Sequence, residues 1–197
     1  MTDDGPVHRR RAPGADLGAR IRAHREEAGV SLRELARRLD VSPSLLSQIE
    51  RGLAQPSVSS LYAIVSELRL SLDALFAEPG RSLAGQPTMV LRAETRTVIE
   101  LDGGVRWERL TPAPDPHATF ALVTYLPGAE APADDPRQSH VGRQYGYVVS
   151  GRIEIAYADE ELDLGPGDAI VFGADTPHRF RALGDEPAQA VWLNLSR

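Results

Sequence analysis

The chain has no cysteine, no lysine and no long apolar run, and each absence excludes some chemistry. Without cysteine it forms no disulfide and offers no thiolate to a metal or a redox partner. No run approaches the roughly 18–20 apolar residues of a membrane-spanning helix. The arginine-rich start lacks the apolar core of a signal peptide, so we expect a cytoplasmic protein. The apolar fraction of 42% is that of an ordinary globular protein, although aromatic residues make up only 6%.

The basic residues are all arginines, and they are unevenly placed. Residues 8–51 hold ten arginines against six acidic residues, a balance of +4, whereas residues 79–197 hold eleven against seventeen, a balance of −6. The net charge of −6 is therefore the sum of a basic N-terminal region, residues 8–51, and an acidic C-terminal region, residues 79–197. Such a division is typical of a protein whose first part meets phosphates while its body has another task.

Composition and periodicity divide the chain into four parts. Residues 1–15 have no periodicity and are predicted to form a disordered arm, whereas residues 16–77 show helical spacing throughout. Residues 78–87 are rich in Pro, Gly and Ser and are predicted to be a linker. Residues 88–197 contain at least eight short β-branched or aromatic runs, which predict an antiparallel sandwich or barrel. The predicted fold class is α plus all-β, with five short helices, the first capped by Asp16, ahead of the β domain.

Residues 31–52 are the most informative segment. Ser31 and Glu34 form a capping box that opens one helix, and Ser42 caps a second helix with Pro43 at its first position. The side chains predicted to face inward are Leu32, Leu35, Ala36 and Leu39 in the first helix and Leu45, Leu46 and Ile49 in the second. The side chains left outward on the second helix are Ser44, Ser47, Gln48 and Arg51. This short polar surface is typical of a helix that lies in a DNA groove.

Residues 17–76 resemble the helix-turn-helix domain of the XRE family of phage-repressor-like regulators, above all in LRELARRLDVSPSLLSQIERG and PSVSSLYAIVSEL. In that family the third helix enters the major groove and the second crosses the backbone. The base contacts that the resemblance implies are those of Ser44, Ser47 and Gln48. The implied phosphate contacts are those of Arg33, Arg37 and Arg51. Glu50 is expected to be a structural anion bonded within the module.

Residues 88–195 resemble a cupin, a small double-sheet barrel. The resemblance is carried by QSHVGRQ, by the following YGYVVSG, and by LGPGDAIVFGADTPH. In metal-binding cupins the first motif offers two histidines and a glutamate, and the second offers a further histidine. The residues that stand at those positions here are Gln138, His140, Gln144 and His178.

The two glutamines change the chemistry of that site, because an amide oxygen is a weaker donor than a carboxylate or an imidazole and offsets no charge. Two interpretations stay open. A metal-free polar pocket for an organic ligand is favoured, with no cofactor required, and a weakly bound divalent metal is the alternative. The residues on or beside these motifs that are candidates for the pocket are Trp107, Arg143, Tyr145, Tyr147, Arg179 and Trp192. Only some of them can face inward, since strand residues alternate.

The two resemblances together imply a one-component transcriptional regulator, whose helical head binds operator DNA and whose barrel senses a small molecule, dimerises, or does both. The expected partners are double-stranded DNA, an effector and a second copy, with no membrane; two heads would read half-sites about 34 Å apart. The alternative is a mononuclear iron enzyme of the hydroxypropylphosphonate-epoxidase type, which has the same layout. Its iron ligands would be His140, Gln144 and His178, a set without a carboxylate, so we predict no catalytic residue.

Overall fold

The computed structural model describes residues 13–75, 90–115, 117–128 and 138–195. Most of the predicted arm and the whole predicted linker lie outside these residues. The described helices are α1 (Pro13–Glu27), α2 (Leu32–Arg38), α3 (Pro43–Glu50), α4 (Val58–Glu67) and the single turn α5 (Leu72–Leu75). None of the described helices is long and apolar enough to cross a membrane.

The helical module corrects two expectations. It has four full helices instead of five, because the last predicted helix amounts to one turn of four residues, α5. The first helix begins at Pro13, so Asp16 lies inside it and does not cap it. Proline is favoured at the first helical position, where its missing N–H costs no hydrogen bond, and this start outcompetes the later one.

The predicted serine caps are confirmed, whereas the Glu34 carboxylate, expected to complete the capping box, bonds to Arg37 and Arg38 instead. Ser31 Oγ accepts the N–H of Glu34 at 3.2 Å, and Ser42 Oγ accepts the N–H of Leu45 at 3.1 Å. A third serine, Ser57, caps α4 in the same way. These bonds satisfy backbone donors that the first turn of a helix leaves free, so the sequence determines where three of the helices begin.

The core of the module confirms most of the predicted inward residues and corrects one. The fully buried side chains include Ile21, Leu35, Ala36, Leu46 and Leu61. Leu45 was predicted to be inward but is 39% exposed. In α3 the buried face is set by Leu46 and Ile49, three residues apart, and Leu45 is turned away from it by about 100°.

One buried ion pair fixes α3 against α1. The Arg25 guanidinium donates to Glu50 through Nε at 2.6 Å and Nη2 at 2.9 Å, and its Nη1 donates to the carbonyl of Val30 at 2.8 Å. The hydrogen bond to Glu50 raises the pKa of Arg25. Glu50 is therefore the structural anion that the sequence predicts. The backbones also approach closely, since a Cβ built on Gly18 would lie 2.1 Å from the carbonyl oxygen of Ile49.

In the described part of the β domain, nine antiparallel strands form two sheets. They are β1 (Val98–Leu101), β2 (Val105–Arg109), β3 (Ala118–Tyr125), β4 (Arg143–Ser150), β5 (Arg152–Tyr157), β6 (Glu160–Leu164), β7 (Ala169–Gly173), β8 (His178–Leu183) and β9 (Ala188–Leu195). The larger sheet has the order β1-β2-β3-β9-β4-β7, and the smaller has β6-β5-β8. The antiparallel architecture predicted from the short runs is observed, and the two sheets form the double-sheet barrel that the cupin resemblance implies.

One predicted run forms no strand, and one observed strand is not predicted by the sequence pattern. Residues 90–92 form no strand and lead into a 3₁₀ turn, Ala93–Thr95. Strand β8 was not predicted, because its sequence HRFRAL mixes arginines with apolar residues. It is a strand because it pairs with β5 along its whole length. Between β6 and β7 the carboxylate of Asp168 accepts the N–H of Gly165 at 2.8 Å and so closes that turn.

The helical module packs directly on the mouth of the barrel. The N–H of Asp102 donates to the carbonyl of Pro56 at 3.0 Å. Asp73, in α5, is fully buried and accepts from Thr111 Oγ1 at 3.0 Å and from the N–H of Asp115 at 2.7 Å. Burial raises the pKa of Asp73. These contacts bring the start of α4 to the open end of the barrel, where the candidate ligand site lies.

Candidate nucleic-acid interface and ligand pocket

The outward face of α3 carries the residues predicted to read bases. Ser44 and Gln48 are exposed, whereas Ser47 is half-buried. Leu45 lies among them with 39% of its surface exposed and was missed as a candidate, because its apolar character indicated a core position. The face therefore combines hydrogen-bonding groups with one apolar side chain of the kind that contacts a thymine methyl group.

The three arginines predicted to contact phosphates are all exposed, but they are not equivalent. Arg37 donates to the Glu34 carboxylate at 2.8 and 3.1 Å, and Arg38 donates to the same carboxylate at 2.9 Å. These hydrogen bonds lower the pKa of Glu34 to about 2. Arg51 donates to the carbonyl of Ser47 at 3.2 Å. Arg37 is therefore already paired with a carboxylate, whereas none of the ion pairs among the described residues includes Arg33 or Arg51.

Inside the barrel the structure brings the four predicted pocket residues together. Gln138 bridges to His178 through the backbone, the N–H of His178 donating to the carbonyl of Gln138 at 3.0 Å. The rings of His140 and His178 have centroids 5.6 Å apart. Gln144 comes from β4 and is 3% exposed, while His178 is fully buried. The two motifs, far apart in sequence, thus form one site.

This site presents hydrogen-bond acceptors. The Nδ1 of His178 lies 2.9 Å from the carbonyl of Thr176, which only accepts, so Nδ1 carries the proton and Nε2 presents a lone pair. Buried acceptors without a hydrogen-bond partner among the described residues include His178 Nε2 and the side-chain oxygens of Gln138 and Asn194. The side chain of Gln144 is hydrogen-bonded to the His140 ring. Burial, together with the neighbouring His178, lowers the pKa of His140 to about 4. Burial likewise lowers the pKa of His178. Both imidazoles are therefore neutral near pH 7.

A cavity of about 50 Å³ opens on Gln138, Gln144 and His178, whereas His140, the fourth predicted pocket residue, and Asn194 are not among its lining residues. Its aromatic lining consists of Tyr62, Trp107, Tyr125, Phe180 and Trp192. Arg179 also lines it, so three of the six additional candidates are confirmed as lining residues. The other three, Arg143, Tyr145 and Tyr147, lie exposed on the outer face of β4 and do not reach the cavity.

The sequence missed the contribution of the head to this cavity. Ser57, Val58, Ser59 and Tyr62, all at the start of α4, line its mouth. The available signal was a tyrosine within the aliphatic face of α4, but helical periodicity assigns such a residue to the core of its own module.

The donor set does not fit an iron centre. A facial triad needs a carboxylate beside two histidines. The described residues contain no group of three or more His, Cys, Asp or Glu that could hold a metal. Two imidazoles and two neutral amides are a poor match for a dication, whereas they match a ligand that donates hydrogen bonds.

Comparison with known proteins agrees with this architecture. A helix-turn-helix family model matches residues 21–75, and a cupin-domain model matches residues 121–194. An uncharacterized HTH-type transcriptional regulator of Mycobacterium tuberculosis is 34% identical over 59% of this chain and 80% of its own length. The chain belongs to the XRE-type helix-turn-helix family of transcriptional regulators and carries a cupin domain. Another member, the HTH-type transcriptional regulator PuuR of Escherichia coli, is 27% identical to this regulator over 85% of this chain and 88% of its own.

A solved structure shows the same fold. An HTH_3 family transcriptional regulator from Vibrio cholerae superposes on this regulator with a TM-score of 0.65 and 23% identity, over 93% of this chain and 97% of the other. Hydroxypropylphosphonic acid epoxidase from S. wedmorenis superposes with a TM-score of 0.47 and 21% identity, over 92% and 98% of the two chains. The latter similarity is too low to bear on function.

Proposed function

We propose that this regulator is a homodimeric, ligand-responsive DNA-binding protein that acts in the cytoplasm, where operator DNA lies. The observation that carries the proposal is the outward face of α3, which presents Ser44, Ser47 and Gln48 beside exposed arginines. The Glu50–Arg25 pair holds this helix rigidly on α1. A polar recognition helix on a fixed module is the arrangement that reads the major groove.

In the proposed complex, Gln48 pairs with adenine, and Ser44 and Ser47 contact neighbouring base edges. Arg33, Arg37 and Arg51 contact phosphates, which position the head without reading sequence.

Replacing Gln48 by alanine is expected to lower discrimination at one base pair by about 1–3 kcal/mol. Arg51→Ala is expected instead to weaken binding on every sequence and to reduce its salt dependence. Titration of single-substitution operators at several salt concentrations measures both effects. Unchanged affinity of Gln48→Ala for all of them would contradict the proposed placement of α3.

The barrel is proposed to bind an organic ligand and not to catalyse a reaction. Its aromatic walls provide an apolar surface, and its unpartnered acceptors require a ligand with hydrogen-bond donors. The missing carboxylate argues against the iron-enzyme alternative and leaves only weak binding for any divalent metal. Ligand binding then regulates DNA binding if the ligand prefers one state of the dimer over the other.

The outer face of the larger sheet is the proposed dimer interface. Its exposed apolar side chains are Phe120, Tyr145, Tyr147, Val149, Val171 and Leu195. Tyr145 of β4 lies opposite Val171 of β7 on one side and Leu193 of β9 on the other, so these residues form a continuous patch across strands. Contiguous apolar patches of this kind mark protein interfaces, and a second copy with the same patch would cover it.

Selection of bound fragments from random DNA tests the proposal, with one arm free of metal and one arm supplied with Zn²⁺ or Fe²⁺. We expect the same palindromic sequence in all arms, with half-site centres about 10 base pairs apart. Enrichment of no sequence would contradict DNA reading by this chain. Enrichment only in a metal arm would restore the metal-site interpretation of the barrel.

A further inference from the structure

One residue of the DNA-binding head occupies the barrel. The Tyr62 ring, from α4, stacks on the His140 ring with centroids 4.1 Å apart and planes within 7°. Its hydroxyl accepts a hydrogen bond from Asn194 Nδ2, in β9, at 2.9 Å. The Trp107 ring lies on another side, with its centroid 6.2 Å away. Tyr62 is only 7% exposed. This side chain of the head is therefore packed as a bound ligand would be, between the rings of His140 and Trp107 and with its hydroxyl bonded to Asn194.

The remaining cavity is too small for most effectors while Tyr62 is in place. Its volume of about 50 Å³ holds a few water molecules, since each needs at least about 10–15 Å³. A larger ligand that reaches the acceptors of Gln138, Gln144 and His178 must therefore take the space of the tyrosine ring. Ligand entry and Tyr62 docking exclude each other.

We propose that Tyr62 is a tethered ligand of the barrel, that a free molecule with a phenol-like ring displaces it, and that this exchange releases the head from the barrel. The ligand class follows from the occupant: a planar aromatic group carrying a hydroxyl or amine. Such a ring stacks on His140, meets Asn194, and donates to the acceptors that Tyr62 leaves unpartnered. This inference rests on the proposed function, because it gives the ligand pocket its regulatory effect.

The route from Tyr62 to DNA is short. Tyr62 lies in the second turn of α4, which follows the recognition helix α3 after a seven-residue connection, residues 51–57. Pro56, in that connection, is bonded to Asp102 of the barrel. When Tyr62 is docked, α3 holds a fixed position on the barrel, and in a dimer the two recognition helices keep one spacing. When a ligand takes its place, this constraint is lost and operator affinity falls.

Binding of p-cresol, which has the ring and hydroxyl of tyrosine, tests the exchange on the full chain. The two tryptophans of the protein, Trp107 and Trp192, both line the cavity, so their fluorescence reports binding there. We expect Tyr62→Ala to bind p-cresol at least about tenfold more tightly than the unmodified protein, because the competing ring is gone. Leu53→Ala, at a leucine of the head that is 68% exposed, is the matched control and should bind p-cresol like the unmodified protein. Equal affinity of Tyr62→Ala and the unmodified protein would overturn the proposal.

A second variant covers the case in which Tyr62→Ala does not fold, as judged by circular dichroism. Tyr62→Phe keeps the ring but loses the hydrogen bond to Asn194. It should therefore bind p-cresol about two- to tenfold more tightly than the unmodified protein. No change in this variant would also overturn the proposal, since the anchoring hydroxyl would then contribute nothing to docking.

Operator binding separates the failure of this inference from the failure of the proposed function. With an operator in hand, saturating p-cresol should lower the affinity of the unmodified protein at least about tenfold and leave that of Tyr62→Ala unchanged. If the unmodified protein selects no operator, the proposed function fails, and the fluorescence experiment still decides whether Tyr62 is a tethered ligand. If p-cresol fills the cavity without affecting operator affinity, the coupling is wrong while DNA binding stands.

Discussion

A single aspartate on the outer sheet face, Val171→Asp, is expected to make the regulator monomeric and to weaken its binding to a palindromic operator by about 10²–10⁴. Val171 is 49% exposed and lies opposite Tyr145 within the apolar patch. A charge there must be desolvated in the dimer without a partner, which disfavours association. Once the heads are separated, each binds its half-site without the advantage of a linked neighbour. Light scattering measures the mass, and operator titration measures the affinity.

The matched control is Val90→Asp, the same substitution at a valine that is 55% exposed and precedes the β domain's first strand. It should leave both the dimer and the operator affinity unchanged. The affinity of Val171→Asp for an isolated half-site should also equal that of the unmodified protein, because the head itself is intact. A dimeric Val171→Asp protein would place the interface elsewhere.

Glu50→Ala is expected to reduce the free energy of unfolding of the helical module by about 3–5 kcal/mol. The side chains of Arg25 and Glu50 are 8% and 4% exposed, so removing the carboxylate takes away the two short hydrogen bonds of a buried guanidinium and leaves it only the half-exposed Glu26, at 3.5 Å, as a counter-charge. Because Arg25 also holds Val30 ahead of α2, the loss should loosen α1, the following turn and the recognition helix together. Urea unfolding followed by circular dichroism measures the change.

The comparison for this variant is Glu27→Ala, which removes a glutamate from α1 whose side chain is 82% exposed. An exposed ion pair contributes at most about 1 kcal/mol, so this variant should unfold almost like the unmodified protein. Similar destabilisation by the two substitutions would mean that the Arg25–Glu50 pair has no special structural role.

The sequence was sufficient for those parts of the fold that local chemistry determines. The serine caps at Ser31 and Ser42 were predicted because a side-chain oxygen and a backbone N–H three residues on meet wherever a helix starts there. The four pocket residues were found because their motifs resemble those of a known barrel. Leu45 was misplaced, since apolar spacing in a helix of eight residues does not distinguish adjacent positions on the edge of the buried face.

Contacts between the two domains could not be predicted from the sequence. Nothing in helical periodicity separates Tyr62, which enters the barrel, from Leu61, which fills the core of the head. The distinction depends on how α4 meets the barrel mouth, a tertiary arrangement to which residues far apart in the chain contribute. Strand β8 was missed for a related reason: its pairing with β5 stabilises it more than its own composition predicts.

The stacking of Tyr62 on His140 also limits how such proteins can diversify. Two-domain regulators are commonly described as interchangeable modules, in which one ligand-binding domain can be combined with many DNA-binding domains. Here a side chain of the DNA-binding head, Tyr62, completes the packing inside the barrel. In a chimera that joins this barrel to a head without an aromatic residue at that position, the space beside His140 inside the barrel would be left unfilled. The two domains must therefore change together during evolution.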